Sequence, residues 1–288
     1  MFYYFHRLLF KLHFFRYCNV TFTKRIRNKK FRIPVIKETG YLNLLGKENW
    51  MDNLLADLFN VTNGMFVDVG MNAGQTLLKV SSLDDKRKYV GFEPNPFCFY
   101  YCYKLIETNK LKECNIYPVG LFNETSILTL HMDKEYAAGA SVLEDFRKNK
   151  GRYSIKLNVP VFKGDDILQA KENGEKSIIK IDVEGAELEA IKGLYNTIST
   201  HQPFIILEIL PVYSLDSENG QYRYQRQQEM LSILDSLGYE MYRINEKEEM
   251  LNRLNEVEVH GSMQLTNYLF IPQQKYLLLE KFRHYKIS

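Results

Sequence analysis

The sequence is poor in cysteine and has no internal repeat. Its 288 residues include four cysteines, and Cys18, Cys98, Cys102 and Cys114 do not have the spacing of a metal site. Cys98 and Cys102 lie one helical turn apart in an apolar segment, so we expect them to pack inside a protein of a reducing compartment. The absence of repeats and low-complexity tracts excludes a repeat architecture. Length and an apolar fraction of 45% fit one large α/β domain.

The N-terminal segment lacks a long uninterrupted hydrophobic run. Residues 1–23 mix aromatic side chains with charges such as Arg7, Lys11 and Arg16, and a run broken every few residues cannot span a bilayer. No small-residue cleavage site follows, so we expect no signal peptide and a cytoplasmic protein.

Acidic residues are scarce at the N-terminus. Residues 1–40 contain ten lysines and arginines and one acid, Glu38, whereas the remainder carries a small excess of acids. We therefore divide the chain into a basic, aromatic, helical arm (residues 1–45) and an α/β domain (residues 46–288). Residues 1–30 could contact the inner face of a membrane, pack on a second subunit or bind nucleic acid. We rank nucleic acid last because the domain that follows is mildly acidic.

The stretch around which the chain is organised is Met65–Thr76, MFVDVGMNAGQT. An apolar strand runs into Asp68, and Gly70 and Gly74 precede a helical pattern from Gln75. A buried strand followed by a glycine turn and a helix is typical of a nucleotide-binding corner. Glycine lets the backbone approach a ligand closely, and the free N–H groups of the next helix face that ligand.

This corner lacks the dinucleotide fingerprint G-x-G-x-x-G. Its pattern is D-x-G-x-x-x-G, with Asn72 between the glycines, and a pyrophosphate tolerates an adjacent carboxylate poorly. S-adenosylmethionine has no phosphate: Asp68 suits its cationic side, and the helix N-terminus suits its carboxylate. We therefore predict that Asp68, Gly70, Asn72 and Gly74 bind S-adenosylmethionine.

A second acid follows the second strand. Glu93 comes directly after residues 88–92, roughly 20 residues past the glycines, where a ribose is held by its hydroxyls. The alternative is that Asp68 and Glu93 cap helices. Leu121, after a third strand at residues 115–119, is expected to line the adenine pocket.

Three ordered blocks connect these motifs with a known family. They are DVGMNAGQT at 68–76, GFEPNP at 91–96 and IKIDVEGAELEAIKG at 179–193. They resemble the FkbM-type S-adenosylmethionine-dependent methyltransferases over about residues 48–272. The resemblance implies a Rossmann-like class I methyltransferase sheet with one reversed strand. It also implies small hydroxylated substrates, often sugars of polysaccharides or glycolipids, or secondary metabolites.

The remaining pattern agrees with such a sheet. Strands alternate with helices, which predicts a mostly parallel, doubly wound arrangement. No clear helix precedes the last strand, residues 266–271, so we expect that strand to run antiparallel. Residues 126–132 and 159–162 are expected to form an insertion hairpin, with a turn at 137–141 that could reach the substrate.

Candidate catalytic residues lie at strand ends on the same rim. Asp182 and Glu208 end the fourth and fifth strands, and Lys180 shares a sheet face with Asp182. A lysine in a buried strand needs a partner, so these groups form either a functional cluster or a structural ion pair. Asp182 is also expected near the methyl donor. His260, before the reversed strand, is a further candidate base.

These residues predict an S-adenosylmethionine-dependent methyltransferase, with O-methylation preferred over N-methylation. The expected acceptor is a hydroxyl of a small molecule, sugar, glycoconjugate or secondary metabolite. Asp182 and Glu208 are tentative ligands of a divalent cation that would acidify that hydroxyl. The alternative functions are a nucleic-acid-binding protein or nucleic-acid methyltransferase that uses the basic arm, and a scaffold without activity.

Overall fold

The computed structural model describes residue 10 and residues 14–45, 49–133, 140–143 and 154–288. Most of residues 1–13, and residues 137–139 of the predicted insertion turn, lie outside the described residues. The expectations for those segments therefore stay predictions.

The described chain alternates strands and helices. The strands are β1 (Val20–Ile26), β2 (Lys29–Val35), β3 (Met65–Val69), β4 (Tyr89–Phe92), β5 (Cys114–Tyr117), β6 (Gly120–Leu121), β7 (Ser126–Met132), β8 (Ile155–Phe162), β9 (Lys176–Ile181), β10 (Phe204–Glu208), β11 (Tyr239–Asn245), β12 (Met250–Leu254), β13 (Asn267–Pro272) and β14 (Lys286–Ile287). The α-helices are α1 (Tyr41–Leu45), α2 (Asn49–Val61), α3 (Gln75–Leu83), α4 (Pro96–Asn109), α5 (Gly164–Lys171), α6 (Glu187–Gly193), α7 (Tyr195–His201) and α8 (Glu218–Ser236). Within the described ranges, 3-10 helices cover Phe14–Arg16, Met263–Leu265 and Gln273–Lys281. Every helix in the described ranges is too short or too polar to span a bilayer.

A nine-stranded sheet forms the centre of the molecule. Its order is β14-β12-β11-β13-β10-β9-β3-β4-β5. The strands from β10 to β5 are parallel, and β13 runs antiparallel to both β10 and β11. This arrangement is a Rossmann-like sheet with a reversed strand, so the predicted fold class is confirmed. The strand β12, which pairs with β11, was not predicted; it fills the connection in which no helix pattern was found.

The sheet is covered on both faces because its central strands alternate between two apolar layers. On β3, Phe66 packs with α2, α3 and α4, whereas Val67 and Val69 pack with α5 to α8. Strands buried on both faces read as near-continuous apolar runs, and every residue of β9 is buried although Lys180 interrupts its apolar run. A polar side chain within such a run therefore needs a partner inside the layer.

The N-terminal region corrects the prediction of a helical arm. Residues 20–35 form an antiparallel hairpin in which Val20 lies opposite Val35 and Ile26 lies opposite Lys29. Residues 20–26 alternate between half-buried and exposed side chains and include β-branched residues, which favour a strand. The hairpin is attached to α4, since the Tyr101 hydroxyl donates to the Pro34 carbonyl at 2.8 Å.

The predicted insertion hairpin is confirmed. β7 and β8 pair antiparallel over their length, from Ser126 opposite Val161 to Met132 opposite Ile155. β6 adds to β8 in parallel, which makes a separate three-stranded sheet. This sheet lies beside the carboxyl ends of β3 and β4, because β6 follows β5 after two residues.

The C-terminal segment is fastened to α2 by one buried carboxylate. Asp57 is fully buried and accepts hydrogen bonds from the backbone N–H groups of Arg283, His284 and Tyr285. The ring Nδ1 of His284 lies 2.9 Å from the same carboxylate. The last strand, β14, therefore depends on a side chain more than 200 positions earlier in the sequence.

We predict that Asp57→Ala destabilises the protein by about 3 kcal/mol, because buried donors lose their charged acceptor. The free energy of unfolding from urea titration measures the change, and hydrogen exchange should rise at residues 283–285. Asp235→Ala, an exposed substitution in α8, is the control and should change stability by less than about 0.5 kcal/mol. Equal effects of the two substitutions would contradict the role of Asp57.

Candidate functional site

The turn after β3 requires glycine at its first position. Gly70 has a φ of +85°, and a Cβ atom there would collide with the backbone carbonyl of Asp182. The N–H groups of Gly70 and Met71 both donate to the Phe92 carbonyl, at 3.0 and 3.1 Å. The turn is therefore held between the ends of β4 and β9, and bare backbone faces the space above them.

Glu93 is anchored by backbone donors. Its carboxylate is only 7% exposed and accepts from the N–H groups of Asn72 at 2.8 Å and Asn95 at 2.9 Å. Burial raises its pKa to about 7, although these two hydrogen bonds act in the opposite direction. The alternative that Asp68 and Glu93 cap helices is wrong, since Gly74 and Asn95 are the N-cap residues of α3 and α4.

Asp68 lies behind the site and does not face it. Its side chain is fully buried, accepts from the Tyr89 hydroxyl at 2.6 Å and lies 3.8 Å from Lys180 Nζ. Gly91 is opposite Asp68 in the sheet register, and a Cβ there would lie 2.9 Å from the Tyr89 ring. The missing side chain gives Tyr89 the room to reach Asp68. The expected direct contact of Asp68 with a ligand is thus replaced by contacts within the protein.

Lys180 joins this buried acid to one at the surface of the site. It is opposite Asp68 in the register of β9 with β3, and its Nζ lies 2.9 Å from Asp182 Oδ2. The Asp182 carboxyl is about one-third exposed. The ammonium therefore lies between a carboxylate that solvent cannot reach and one that a ligand can reach. This agrees with the expectation that a lysine in this strand is paired.

Glu208 stands next to this ion pair. Burial and the negative charge of Asp182 raise the pKa of Glu208 well above its usual range, and the two carboxyls share a hydrogen bond. The Thr266 hydroxyl donates to Glu208 at 3.4 Å. The raised pKa favours the protonated form of Glu208, which lies beside the Asp182–Lys180 ion pair.

These groups surround a cavity of about 270 Å³ at the carboxyl ends of the parallel strands. Seven residues predicted from the sequence line it: Gly70, Asn72, Glu93, Leu121, Lys180, Asp182 and Glu208. Three predicted residues are not in its wall: Asp68, Gly74 and His260. One cavity therefore connects the acid predicted to hold a ribose with the acids predicted to catalyse.

Gly74 and His260 lie outside the wall for different reasons. Gly74 begins α3 with a φ of +71°, and a Cβ there would lie 3.2 Å from Cys102 Sγ, so it faces α4. His260 is half-buried in the loop after β12, where its Nδ1 accepts from the Ser262 N–H at 3.2 Å. Burial and the charge of Arg243 lower its pKa. The first residue of β13, Asn267, lines the cavity instead.

The walls contain residues that the sequence analysis did not assign to the site. Leu42, Trp50 and Met51 come from α1 and α2, and Leu130, Val142 and Val161 come from the insertion sheet and its loop. The apolar face of α2 predicts that this helix covers the sheet. It does not reveal that the end carrying Trp50 covers the ligand cavity.

The donor set does not support a bound metal. Within the described ranges, no group of three or more histidine, cysteine, aspartate or glutamate side chains could hold a metal ion. Asp182 is paired with the Lys180 ammonium, and the divalent cations that carboxylates hold need several oxygen ligands. The tentative cation is therefore not carried into the proposal.

Comparison with known proteins decides the family. The profile of the Methyltransferase FkbM domain matches residues 68–241, which is more than half of the chain.

The protein belongs to the FkbM methyltransferase family.

The resemblance seen in the three sequence blocks is thereby confirmed. The hexuronic acid methyltransferase AglP of Haloferax volcanii is 28% identical over 144 residues, which are 49% of this chain and 54% of AglP. The match thus spans about half the length of this curated relative.

Two solved structures align with parts of this chain. The FkbM methyltransferase of Methylobacillus flagellatus KT has a TM-score of 0.43 and 16% identity over 73% of this chain and 43% of its own. Fibrillarin of Aeropyrum pernix, crystallised with natively bound S-adenosylmethionine, has a TM-score of 0.44 and 9% identity. That match covers 87% of this chain and 82% of fibrillarin.

We predict that Lys180→Met destabilises this FkbM protein by about 3–5 kcal/mol, because Asp68 would remain buried without its cation. Adding Asp68→Asn to that variant should recover much of the loss, since the buried charge is then removed. Urea unfolding followed by circular dichroism measures both. Lys192→Met, in a more exposed ion pair with Glu229, is the matched control and should cost about 1 kcal/mol or less. A loss as small as the control's would show that the buried pair is not needed.

Proposed function

We propose that the protein is an S-adenosylmethionine-dependent O-methyltransferase that acts on a hydroxyl of a sugar or glycoconjugate. The observation that carries the proposal is the single cavity that extends from Glu93 to the Asp182–Glu208 pair. One end offers a carboxylate suited to ribose hydroxyls, and the other offers a carboxylate suited to a hydroxyl proton.

The residues present fit the cofactor. The backbone at Gly70 leaves open the space that a Cβ would fill, and Asn72 and Glu93 line the cavity beside it. Leu121 offers an apolar surface for the base. When bound, S-adenosylmethionine supplies an electrophilic methyl group on a sulfonium, and its positive charge suits a wall that contains Asp182 and Glu184.

The catalytic proposal assigns the proton transfer to Asp182. The Lys180 ammonium holds this carboxylate in one orientation, and Glu208, whose raised pKa favours its protonated form, lies beside it. Asp182 would accept the proton of the acceptor hydroxyl when that oxygen takes the methyl group, and the carbon–sulfur bond would break to leave neutral S-adenosylhomocysteine. Lys180 acts as a positioning residue, and Asp68 fixes Lys180 from behind.

Two observations support a sugar as the acceptor: the similarity to AglP and the aromatic side chain of Trp50 in the cavity wall. The relative is described as a hexuronic acid methyltransferase, which supports an acceptor with hydroxyl groups. Trp50 lies in the cavity wall and is an aromatic surface of the kind on which a sugar ring packs. The alternative of nucleic-acid binding through the basic arm stays a prediction, as does a cytoplasmic location.

We predict that S-adenosylhomocysteine binds about tenfold more weakly at pH 6 than at pH 8. Burial raises the pKa of Glu93 to about 7 in the protein without ligand. Ribose hydroxyls donate to the ionised carboxylate, so the affinity rises as the pH rises through that value. Calorimetric titration at several pH values measures this, with NAD as the comparison ligand. Glu93→Gln should remove the pH dependence and weaken binding.

Glu187→Gln is the matched control for this prediction. Glu187 is also buried with a pKa raised to about 7, but it caps the Gly185 N–H and does not line the cavity. Its substitution should leave the pH dependence intact. Tighter binding of NAD than of S-adenosylhomocysteine would overturn the proposed cofactor.

We predict that Asp182→Asn lowers the turnover number by about 10² to 10⁴, because the base is lost while the shape is kept. The dissociation constant of S-adenosylhomocysteine should change by less than about threefold, since cofactor contacts remain. A radiolabelled methyl donor and a panel of neutral sugars and uronic acids provide the assay. Equal losses of turnover and cofactor affinity would argue against the assignment of Asp182.

A further inference from the structure

A second cavity adjoins the first on the side of the N-terminal hairpin. It measures about 200 Å³ and is lined by Lys24, Arg25, Ile26, Arg27, Leu42, Asn43, Asp52, Gln75, Leu78 and Lys79. The hairpin, α1, α2 and α3 each contribute to it. We call it the basic groove. It shares Leu42 and Gln75 with the cavity that contains Glu93 and Asp182, so the two cavities are neighbours.

The charges of the basic groove are out of balance. Four cationic side chains line it, and Asp52 is the one carboxylate among these lining residues, all of which belong to the described chain. Asp52 Oδ2 lies 3.5 Å from Lys79 Nζ, and Lys79 is only 7% exposed. One carboxylate therefore faces an excess of positive charge within a partly enclosed space.

The hydrogen-bond acceptors of Lys24 and Arg27 are neutral carbonyl groups. Lys24 Nζ donates to the Asn43 carbonyl and Arg27 Nη2 donates to the Asp52 backbone carbonyl, both at 2.8 Å. A carbonyl satisfies one donor but leaves the charge uncompensated, and lysine and arginine have further donors. Burial and then the nearby Lys79 charge lower the pKa of Lys24, and the opposing effect of Asp52 is smaller, so the repulsion between these cations is only partly offset. An anion in the groove would relieve this repulsion.

We propose that the basic groove binds an oxyanion, a phosphate or carboxylate, on the acceptor whose hydroxyl is methylated in the adjoining cavity. This inference rests on the proposed function. It adds a substrate class: the acceptor is an anionic sugar, or a sugar linked to a phosphate, that extends past Gln75 towards the hairpin. Charge-assisted hydrogen bonds from lysine and arginine are the usual means of holding such groups.

The test titrates the full chain with inorganic phosphate and with glucuronate by ligand-detected NMR, at an ionic strength fixed with sodium chloride. Saturable binding of at least one anion is expected. The double variant Lys24→Gln/Arg25→Gln should weaken it at least about tenfold. The matched control, Lys30→Gln/Arg32→Gln, removes two exposed cations of the same hairpin that do not line the groove. It should change affinity by less than about twofold.

Two further variants keep the test decisive. Arg25→Gln alone alters an exposed residue, so it reports on the groove even if the double variant does not fold. Asp52→Asn removes the opposing carboxylate and should strengthen anion binding, which a purely structural role of the cations would not cause. Equal anion affinity in the wild type, Arg25→Gln and the double variant would overturn the proposal.

Two controls distinguish anion binding in the groove from cofactor binding and from membrane binding. Binding of S-adenosylhomocysteine to the Lys24→Gln/Arg25→Gln variant should stay within about twofold of the wild type, so failure of the cofactor proposal shows independently. Cosedimentation with phosphatidylglycerol vesicles is the second control. Vesicle binding without binding of either free anion would assign the groove to a membrane surface and contradict an acceptor site.

Discussion

The site depends on one buried cation held between two carboxylates. Lys180 occupies a central strand whose neighbours are apolar. It is tolerated there because Asp68 lies opposite it in the sheet register and Asp182 lies two residues further along the same face. Removing Lys180 leaves the buried carboxylate of Asp68 without its cation in a medium that solvates it poorly. The same pairing that makes the strand foldable therefore also fixes the orientation of the carboxylate that faces the ligand.

Backbone geometry joins this ion pair to the rest of the rim. The turn at Gly70 passes so close to the Asp182 carbonyl that no side chain fits between them, and its N–H groups bind the end of β4. Glu93 in turn binds the N–H of Asn72, in the same turn. The two functional ends of the cavity are thus linked through a few hydrogen bonds of one loop, so their separation is set by the sheet.

Short sequence patterns predict the order of the strands and the residues at their ends. They do not predict which side chains are buried by contacts between distant parts of the chain. The alternation of strands and helices, the reversed strand, and the rim positions of Glu93, Asp182 and Glu208 follow from short patterns, and these patterns were sufficient. The burial of Asp68 was missed because it depends on the absent side chain of Gly91 in a neighbouring strand, which lets Tyr89 reach it. The charges of residues 20–35 fit a surface helix as well as an exposed hairpin, so charge content alone does not predict the hairpin.

The polar and the apolar parts of the cavity come from different parts of the fold. Its polar floor comes from strand ends of the central sheet, where position is fixed by ladder hydrogen bonds. Its apolar walls come from Trp50 and from Val142 and Val161, which belong to elements added before and within that sheet. A rigid floor suits a reaction that needs alignment of donor and acceptor, whereas appended walls can differ without disturbing it. Acceptor choice should therefore be decided by the added elements, and the basic hairpin is one of them.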